Sequence, residues 1–288
     1  MLGFSLLILV VSGCGKKEAL QPQSDTATSG SFELVADETL RPVIDSLVRG
    51  FNQQTPNATV SVRYTSAALA LDALIQNKAR LVLIGRPLTV RERHLFDSIR
   101  LDLPEFDVAL NGIAAIVSNS NSMRSLSLDS LRSLVEGKWD MRYYSTSYLG
   151  STESALDSIF SLQPKTLTGR IRRFETTDSV IDAVRRDPLS IGFIGSSWLH
   201  QLDTRHDSTI RALRISSSKS PEPLQLHLAY MYQGLYPLVS RVCGYTFEQP
   251  NTIPRGFLAY AMSADGQRVF LHYDVLPRTQ IIRIAAPK

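Results

Sequence analysis

The feature that most constrains this chain is a regular alternation of short apolar segments with amphipathic segments, which begins at Phe32. Phe32 to Ala36 is a short apolar run, and Thr59 to Tyr64 alternates apolar with polar residues, so both are predicted to be strands. Between them, Arg41 to Gln54 repeats apolar residues at helical spacing, and Pro42 is tolerated in the first turn. A chain of such units predicts an α/β fold in which helices cover both faces of a parallel or mixed sheet.

The same pattern predicts further elements along the chain. Helices are expected at 67–77, 90–99, 128–135, 152–162, 178–185, 254–262 and 264–273, and strands at 80–84, 112–118, 170–174 and 191–195. The segment 202–214 is polar and ambiguous, 216–223 is predicted to be a loop or linker, and 226–238 is predicted to be sheet and turn.

The N-terminus has the pattern of an export signal. Residues 2–11 form an almost wholly apolar run of roughly ten residues, which is too short for a transmembrane helix and typical of a signal-peptide core. The segment Val11-Ser-Gly-Cys14 resembles the lipobox of bacterial lipoproteins, so we predict a signal peptide at 1–13 and an acylated Cys14. An ordinary signal peptide with an incidental cysteine is the alternative. No Lys or Arg precedes the apolar run, which departs from the usual pattern.

The segment that follows has little apolar surface to bury. Residues 14–31 are rich in Gln, Ser, Thr and Gly, and we predict a lipidated cysteine followed by a flexible tether. The sequence has only two cysteines, so no disulfide remains once Cys14 is acylated, and no metal site can be built from cysteines. Cys243 lies in an apolar segment and is interpreted as a buried small hydrophobic residue.

Charge and motifs exclude several classes of function. The net charge is +4, and the basic residues are scattered rather than concentrated as a nucleic-acid footprint would be. The five histidines lack HExxH spacing, and no Gly-x-Ser-x-Gly elbow, P-loop or dinucleotide fingerprint occurs. Asp37 and Glu38 are adjacent carboxylates that we interpret as a solvated turn, because neighbours at a strand end usually point apart. The sequence therefore predicts neither an enzyme nor a cofactor or metal.

Small polar residues collect at four predicted strand-to-helix junctions. The junctions are Ala36 to Leu40, Tyr64 to Ala67, Ile84 to Pro87 and Leu149 to Glu153. Each would place hydroxyl and free backbone N–H groups at the positive end of a helix, where an anion finds unpaired donors. In open α/β sheets such junctions gather at the carboxyl ends of strands, and Arg86 could add a two-pronged contact to a tetrahedral oxyanion.

Seven segments also follow one another in a familiar order. They are 35–40 (VADETL), 51–56 (FNQQTP), 85–92 (GRPLTVRE), 111–121 (NGIAAIVSNSN), 126–137 together with Trp139, 191–196 (IGFIGS) and 236–241 (YPLVSR). The third is similar to a family pattern, Ser-Arg-x-Leu-Thr-x-x-Glu. From about Phe32 to Ile284 the chain thus resembles the phosphate-binding lipoproteins of ABC transporters, the PstS-like family, which has the class II periplasmic-binding-protein fold.

The resemblance implies two α/β lobes, each a mixed sheet flanked by helices, with a ligand held between them. Lobe one would comprise 32–110 plus 224–288, and lobe two 111–223. The implied ligand is phosphate or a similar oxyanion, and the implied partner is an ABC transporter permease. Carried over position by position, the resemblance assigns ligand contacts to Thr39, Thr65, Ser66, Arg86, Ser151 and Thr152.

Three departures from the family pattern concern the ligand site. Gly85 replaces a serine, Thr65-Ser66-Ala67 replaces a glycine-flanked serine, and Asn111 replaces an aspartate that accepts the proton of hydrogen phosphate. Glu38 could serve as that acceptor or repel the anion. The sequence thus leaves open a binding-fold lipoprotein that has lost anion binding and acts as an interaction or sensory protein. A lipid-anchored hydrolase is a third reading, which lacks a nucleophile and base.

Overall fold

The computed structural model describes residues 25–100, 102–139, 141–146, 150–161 and 171–278. The predicted signal peptide, Cys14 and most of the predicted tether lie outside these residues. Within them, no helix combines the length and the apolar character needed to span a bilayer.

Strands and helices alternate through both halves of the chain. The first half contains β1 (Gly30–Asp37), a 3-10 helix (Glu38–Leu40), α1 (Arg41–Gln54), β2 (Ala58–Thr65), α2 (Ala67–Ile75), β3 (Leu81–Ile84), α3 (Val90–Ser98), β4 (Glu105–Ser118), β5 (Ser125–Ser127) and α4 (Leu128–Val135). The second contains β6 (Arg142–Thr146), α5 (Ser151–Phe160), β7 (Ile171–Phe174), α6 (Thr177–Arg186), β8 (Ser190–Gly195), α7 (Ser196–Thr204), β9 (Ile210–Ala212), β10 (Arg214–Ser217), β11 (Ser220–Leu224), α8 (Leu228–Tyr232), β12 (Val239–Tyr245), α9 (Ile253–Met262), α10 (Ala264–His272) and β13 (Leu276–Pro277).

A ten-stranded mixed sheet runs through the molecule in the order β2-β1-β3-β12-β4-β8-β6-β7, with β9 and β13 also paired to β4. Strand β1 is parallel to β2 and β3, β12 is antiparallel to both its neighbours, and β6 is parallel to β7 and β8. Strand β4 joins the two halves of the sheet. Its residues up to Gly112 pair with β12, and from Ile113 onward it pairs with β8.

Each half of the sheet has apolar clusters on both of its faces. In the first half, Leu34 packs with α1 and α9 on one face, while Val35 packs with α2 on the other. In the second half, Phe193 belongs to the cluster that includes α4 and α5, and Ile194 to the cluster that includes α6 and α7. This arrangement confirms the predicted two-lobed α/β fold with helices on both faces of each sheet. The numbered boundaries of the lobes stay a prediction.

Two local predictions were wrong. The segment 226–238, predicted to be sheet and turn, contains the short helix α8. The segment 202–214, which the sequence left ambiguous, holds the end of α7, the strand β9 and the start of β10. The predicted loop 216–223 largely forms a hairpin between β10 and β11. Strand β11 pairs only with β10, so its two prolines, Pro221 and Pro223, stand on a sheet edge where a missing N–H is tolerated.

The folded body begins earlier than the predicted tether allows. Strand β1 starts at Gly30, and Asp25, whose side chain is only 5% exposed, forms an ion pair with Arg80 at 2.7 Å. A Cβ on Gly256 would lie 1.9 Å from the carbonyl oxygen of Ala27, so the two backbones are in close contact. Residues from Asp25 onward are therefore part of the fold. Cys243 is buried, as predicted.

Candidate oxyanion site between the lobes

Four of the sequence-predicted site residues meet where the two halves of the sheet face each other: Thr39, Asn111, Ser151 and Glu38. A Cβ placed on Gly85 would lie 3.0 Å from the Cβ of Ser151 and 3.5 Å from the Oγ1 of Thr39. A Cβ on Gly195 would lie 3.1 Å from both the Nδ2 of Asn111 and the carbonyl oxygen of Thr39. The absence of a side chain at these two positions lets the lobes approach each other at this point.

Asp37 occupies the centre of this junction, and sequence reasoning did not assign it to the site. Its Oδ1 accepts hydrogen bonds from the backbone nitrogen and the hydroxyl of Thr39, both at 3.0 Å. Its Oδ2 accepts a hydrogen bond of 3.3 Å from the backbone nitrogen of Ser151, the first residue of α5. A carboxylate of lobe one therefore sits at the positive end of a lobe-two helix, where an anion is stabilised.

Ser151 makes a second contact across the junction. Its hydroxyl accepts a 2.9 Å hydrogen bond from the backbone nitrogen of Gly85. Ser151 is 2% exposed, and Thr152, in the same first turn of α5, is buried with it. A side chain at position 85 would crowd this contact, because a Cβ on Gly85 would lie 3.3 Å from the Oγ of Ser151.

Glu38 contacts a different helix of lobe two. Its Oε2 accepts hydrogen bonds from the backbone nitrogen of Thr177 at 2.9 Å and from the Thr177 hydroxyl at 2.7 Å, at the start of α6. Its Oε1 is buried without a hydrogen-bond partner among the described residues, with the Nε of Arg41 at 4.0 Å. Burial raises the pKa of Glu38 to about 7, although the Thr177 hydrogen bonds and the charge of Arg41 oppose this.

The expectation of a solvated turn at Asp37 and Glu38 was wrong. The two residues are 1% and 5% exposed. Their side chains do point apart, but each side is covered, Asp37 by α5 and Glu38 by α6.

Asn111 repeats the arrangement at a third helix. Its Oδ1 accepts hydrogen bonds from the backbone nitrogen of Ser196 at 3.3 Å and from the Ser196 hydroxyl at 3.1 Å. Ser196 is the first residue of α7. Three side-chain acceptors, Asp37, Glu38 and Asn111, therefore take the N–H groups at the first residues of three lobe-two helices.

Arg86 does not extend free donors toward this cluster. Its Nη1 and Nη2 form a two-pronged ion pair with Glu92, at 2.6 and 2.7 Å, within the first turn of α3. Burial alone would raise the pKa of Glu92, but the hydrogen bonds and charge of Arg86 outweigh burial and lower it. The Nε of Arg86 is buried without a partner in the described part of the chain. Arg86 was expected to make a two-pronged contact with a ligand, but in the structure it makes this contact with Glu92.

Thr65 and Ser66 lie at the edge of the cluster. Thr65 is the Cα partner of Asp37 in the β1–β2 register. The Ser66 hydroxyl caps α2 by accepting a hydrogen bond from the backbone nitrogen of Leu69, so it is engaged within its own helix. Among the described residues, no side-chain hydrogen bond joins Thr65 or Ser66 to Asp37, Glu38 or Ser151.

A small cavity opens beside Arg86 between the lobes. Its volume is about 200 Å³, and its walls come from the start of α3, from α5 and from β12. Three serine hydroxyls line it, those of Ser154, Ser158 and Ser240. The cavity leaves polar space next to the residues that join the two lobes.

The residues that sequence reasoning missed are Asp37, Glu92, Thr177 and Ser196. Thr177 and Ser196 carry the same signal as the four junctions that were found, a small hydroxyl residue at the first position of a helix. Glu92 stands three residues after Thr89 in a capping box, which is visible in the sequence. The ion pair between Arg86 and Glu92 follows from that local geometry.

Comparison with known proteins places the chain in a family context. Residues 21–265 match the model of a PBP superfamily domain. A phosphate ABC transporter substrate-binding protein from Clostridium perfringens, solved with bound phosphate, aligns with a TM-score of 0.75 at 15% identity, over 86% of this chain and 100% of that one. An ABC-type phosphate transport receptor from Vibrio cholerae aligns with a TM-score of 0.65, also at 15% identity and over 86% and 100% of the two chains.

One curated relative is also similar in sequence. Phosphate-binding protein PstS 2 of Streptococcus pneumoniae is 24% identical over 115 residues, which are 39% of this chain. The match spans 37% of the length of that relative.

Proposed function

The chain belongs to the PBP superfamily, and from this premise we propose that it is an extracytoplasmic solute-binding lipoprotein that binds phosphate or a related tetrahedral oxyanion between its lobes for an ABC-type importer. The superfamily match and the fold make it a binding protein rather than an enzyme. The similar solved structures share the fold at 15% identity, so the ligand has to be argued from this chain's own residues.

The observation that carries the proposal is the set of donors at the junction. The backbone nitrogens of Ser151, Thr177 and Ser196 open three helices of lobe two, and each is held by an acceptor oxygen of lobe one or of β4. A carboxylate is itself an oxyanion, so the contacts of Asp37 and Glu38 outline the hydrogen bonds that an oxyanion ligand would receive.

Ligand binding then requires the protein's own carboxylates to leave these donors. An anion placed near Ser151 would repel Asp37, because two like charges about 4 Å apart disfavour each other by about 1 kcal/mol in water and more when buried. Opening of the lobes breaks the bonds of Ser151 to Asp37 and Gly85 and the bonds of Thr177 to Glu38. Hinge opening of this kind is a common motion of two-lobed binding proteins.

The test compares anion affinities of the wild type with two variants that remove the competing charge. Phosphate, sulfate and molybdate are titrated calorimetrically into the wild type, Asp37→Asn and Glu38→Gln. We expect phosphate or another of these anions to bind the wild type, and Asp37→Asn to bind it roughly ten-fold more tightly. Glu33→Gln serves as the matched control, because Glu33 is an exposed carboxylate on the same strand. Equal affinities in the wild type and Asp37→Asn would contradict a displacement mechanism.

A second candidate function is favoured by the same carboxylates. If Asp37 and Glu38 hold the donors permanently, the protein is a closed binding fold that acts as an interaction or sensory protein on the cell surface. A ligand that binds only the folded state raises its melting temperature. If none of the three anions raises the melting temperature of the wild type or of either variant, this second function is supported.

The lipid anchor on Cys14 is part of the proposal and has its own test. The sequence Val11-Ser-Gly-Cys14, which resembles a lipobox, supports it. Mass spectrometry of the N-terminal peptide is expected to find an acylated Cys14 in the wild type. Cys14→Ala should release the protein from the membrane fraction, and a membrane-bound Cys14→Ala protein would contradict the anchor.

A further inference from the structure

A second cavity, of about 610 Å³, lies in lobe two. Its walls are formed by the loop before β5, helix α7, strands β9 and β10 and the segment around the end of β11. Asp37, Glu38 and Asn111 do not line it. Its polar wall carries Arg124, Arg211 and Arg214, and its apolar wall carries Leu199, Ile210 and Leu226.

Two of these arginines are held side by side. The Nη1 of Arg124 donates to the carbonyl oxygens of Asn121 and Met123, at 2.9 and 3.3 Å. The Nη2 of Arg211 donates to the same two oxygens. Desolvation and the charge of Arg124 lower the pKa of Arg211, as expected for two like charges near each other. The fold therefore maintains a local concentration of positive charge.

Carboxylates in the cavity do not neutralise this charge. Asp207 is bound to Arg185 at 2.8 Å, and Asp203 makes no ion pair with the three arginines in the described part of the chain. Both Nη atoms of Arg211 donate to protein oxygens, Nη1 to the Oδ1 of Asn119, and its Nε is buried, whereas Arg124 and Arg214 have exposed side chains. Hydrogen-bond donors thus remain for an anion.

We propose that this cavity binds a small amphiphilic anion, whose carboxylate or phosphate headgroup is held by Arg124 and Arg214 beside the positive charge of Arg211, and whose apolar body packs on Leu199, Ile210 and Leu226. The guanidinium group matches both headgroups in geometry. The volume lies within the range of small-molecule pockets, roughly 300–1,000 Å³. The inference does not depend on what the junction between the lobes binds.

Four probes separate the headgroup from the apolar body. Octanoate and octyl phosphate carry both, acetate carries only the headgroup, and octanol only the apolar body. In calorimetric titrations below the micellar range, we expect octanoate and octyl phosphate to bind the purified protein at one site. Acetate and octanol should bind at least ten-fold more weakly. Acetate binding as tightly as octanoate would show that the apolar wall contributes nothing, which overturns the proposal.

Variants of the exposed arginines locate the site. Arg124→Ala is expected to lower the affinity for octanoate at least five-fold, and Arg124→Ala combined with Arg214→Ala to lower it further. Arg124 is exposed, and the carbonyls that it binds keep Arg211 as a donor, so the fold should persist. The matched control is Arg49→Ala, which removes an exposed arginine of α1. No octanoate or octyl phosphate binding by the wild type, or an equal loss in Arg49→Ala, would overturn the proposal. Anion binding at the junction is a separate result, since Arg124→Ala leaves that site intact.

Discussion

Glu38 accepts both hydrogen bonds that Thr177 donates, from the backbone nitrogen at 2.9 Å and from the hydroxyl at 2.7 Å, although 139 positions separate the two residues. The contact ties the first turn after β1 to the first residue of α6. A carboxylate that is nearly fully buried thus links lobe one to lobe two.

The stability of the protein should depend on pH through Glu38. The groups that face it are Thr177 and Arg41, with Asp37 and Tyr64 nearby. Its pKa is raised from 4.5 to about 7, so the stability that its protonated form provides is present below pH 4.5 and is lost as pH rises through 7. We expect the free energy of unfolding of the wild type to fall by up to about 3 kcal/mol between pH 5 and 8, relative to Glu38→Gln. Urea unfolding measures this, and identical pH profiles would contradict it. Glu33→Gln should keep the wild-type profile.

Removal of the Thr177 hydroxyl should weaken the same contact. Thr177→Val keeps the backbone N–H but loses one hydrogen bond to a carboxylate, which should cost about 1–3 kcal/mol of unfolding free energy. Because that bond lowers the pKa of Glu38, the loss of stability with rising pH should extend to a higher pH in the variant. Thr59→Val, on the exposed side of β2, is the control and should change stability little.

Gly85→Ala should force the lobes apart where Gly85 meets Ser151. The new Cβ would lie 3.0 Å from the Cβ of Ser151, which is tighter than ordinary contact, and crowding of this kind costs about 1–3 kcal/mol. Thermal unfolding measures the loss, and small-angle scattering tests for a larger radius of gyration. Adding Ser151→Gly should recover part of the stability. If the double variant is no more stable than Gly85→Ala, the contact is not the cause.

Arg86 and Glu92 should be coupled in stability. Their two-pronged ion pair is half-buried, and charge-assisted bonds contribute about 1.5–3 kcal/mol each. A double-mutant cycle with Arg86→Ala and Glu92→Gln should therefore give a coupling energy of at least about 1 kcal/mol. A coupling energy near zero would contradict this. The resemblance also assigns Arg86 a ligand contact, which would make Arg86→Ala lower oxyanion affinity about ten-fold. Both Nη atoms bind Glu92 in the structure, and unchanged affinity would remove Arg86 from the site.

Asn111→Asp should change the choice between phosphate and sulfate. An amide serves either anion, whereas a carboxylate accepts the proton of hydrogen phosphate and repels sulfate. On the proposed function, the ratio of the sulfate to the phosphate dissociation constant should rise about ten-fold. This corresponds to about 1.4 kcal/mol, a typical free energy for one hydrogen bond. Asn57→Asp, at an exposed position, is the control. An unchanged ratio would place Asn111 outside the ligand site.

The fold was predictable because its signal is local. Helical and strand periodicities fix the alternation of elements, and Ser127 caps α4 as expected from the residues around it. The hairpin of β10 and β11 was missed because its polar, proline-containing strands lie on an edge and bury little. Such strands carry no apolar alternation that a sequence could reveal.

The site was predictable only in part. Thr39 and Ser151 come together because helix starts gather at the carboxyl ends of strands. The burial of Asp37 and Glu38 depends on partners 114 and 139 positions away, and no local pattern contains that information. The rule that neighbouring side chains point apart was correct for this pair. The sequence did not reveal that α5 covers Asp37 and that α6 covers Glu38.

Strand β4 is one continuous strand of 14 residues, and its partner changes between Gly112 and Ile113. Rotation of one lobe against the other would therefore twist or bend this strand near its change of partner. Asn111 lies next to this change of partner and accepts hydrogen bonds from Ser196, the first residue of α7. A small twist at this point displaces the outer parts of each lobe by a larger distance, and the Asn111 amide lies at this point.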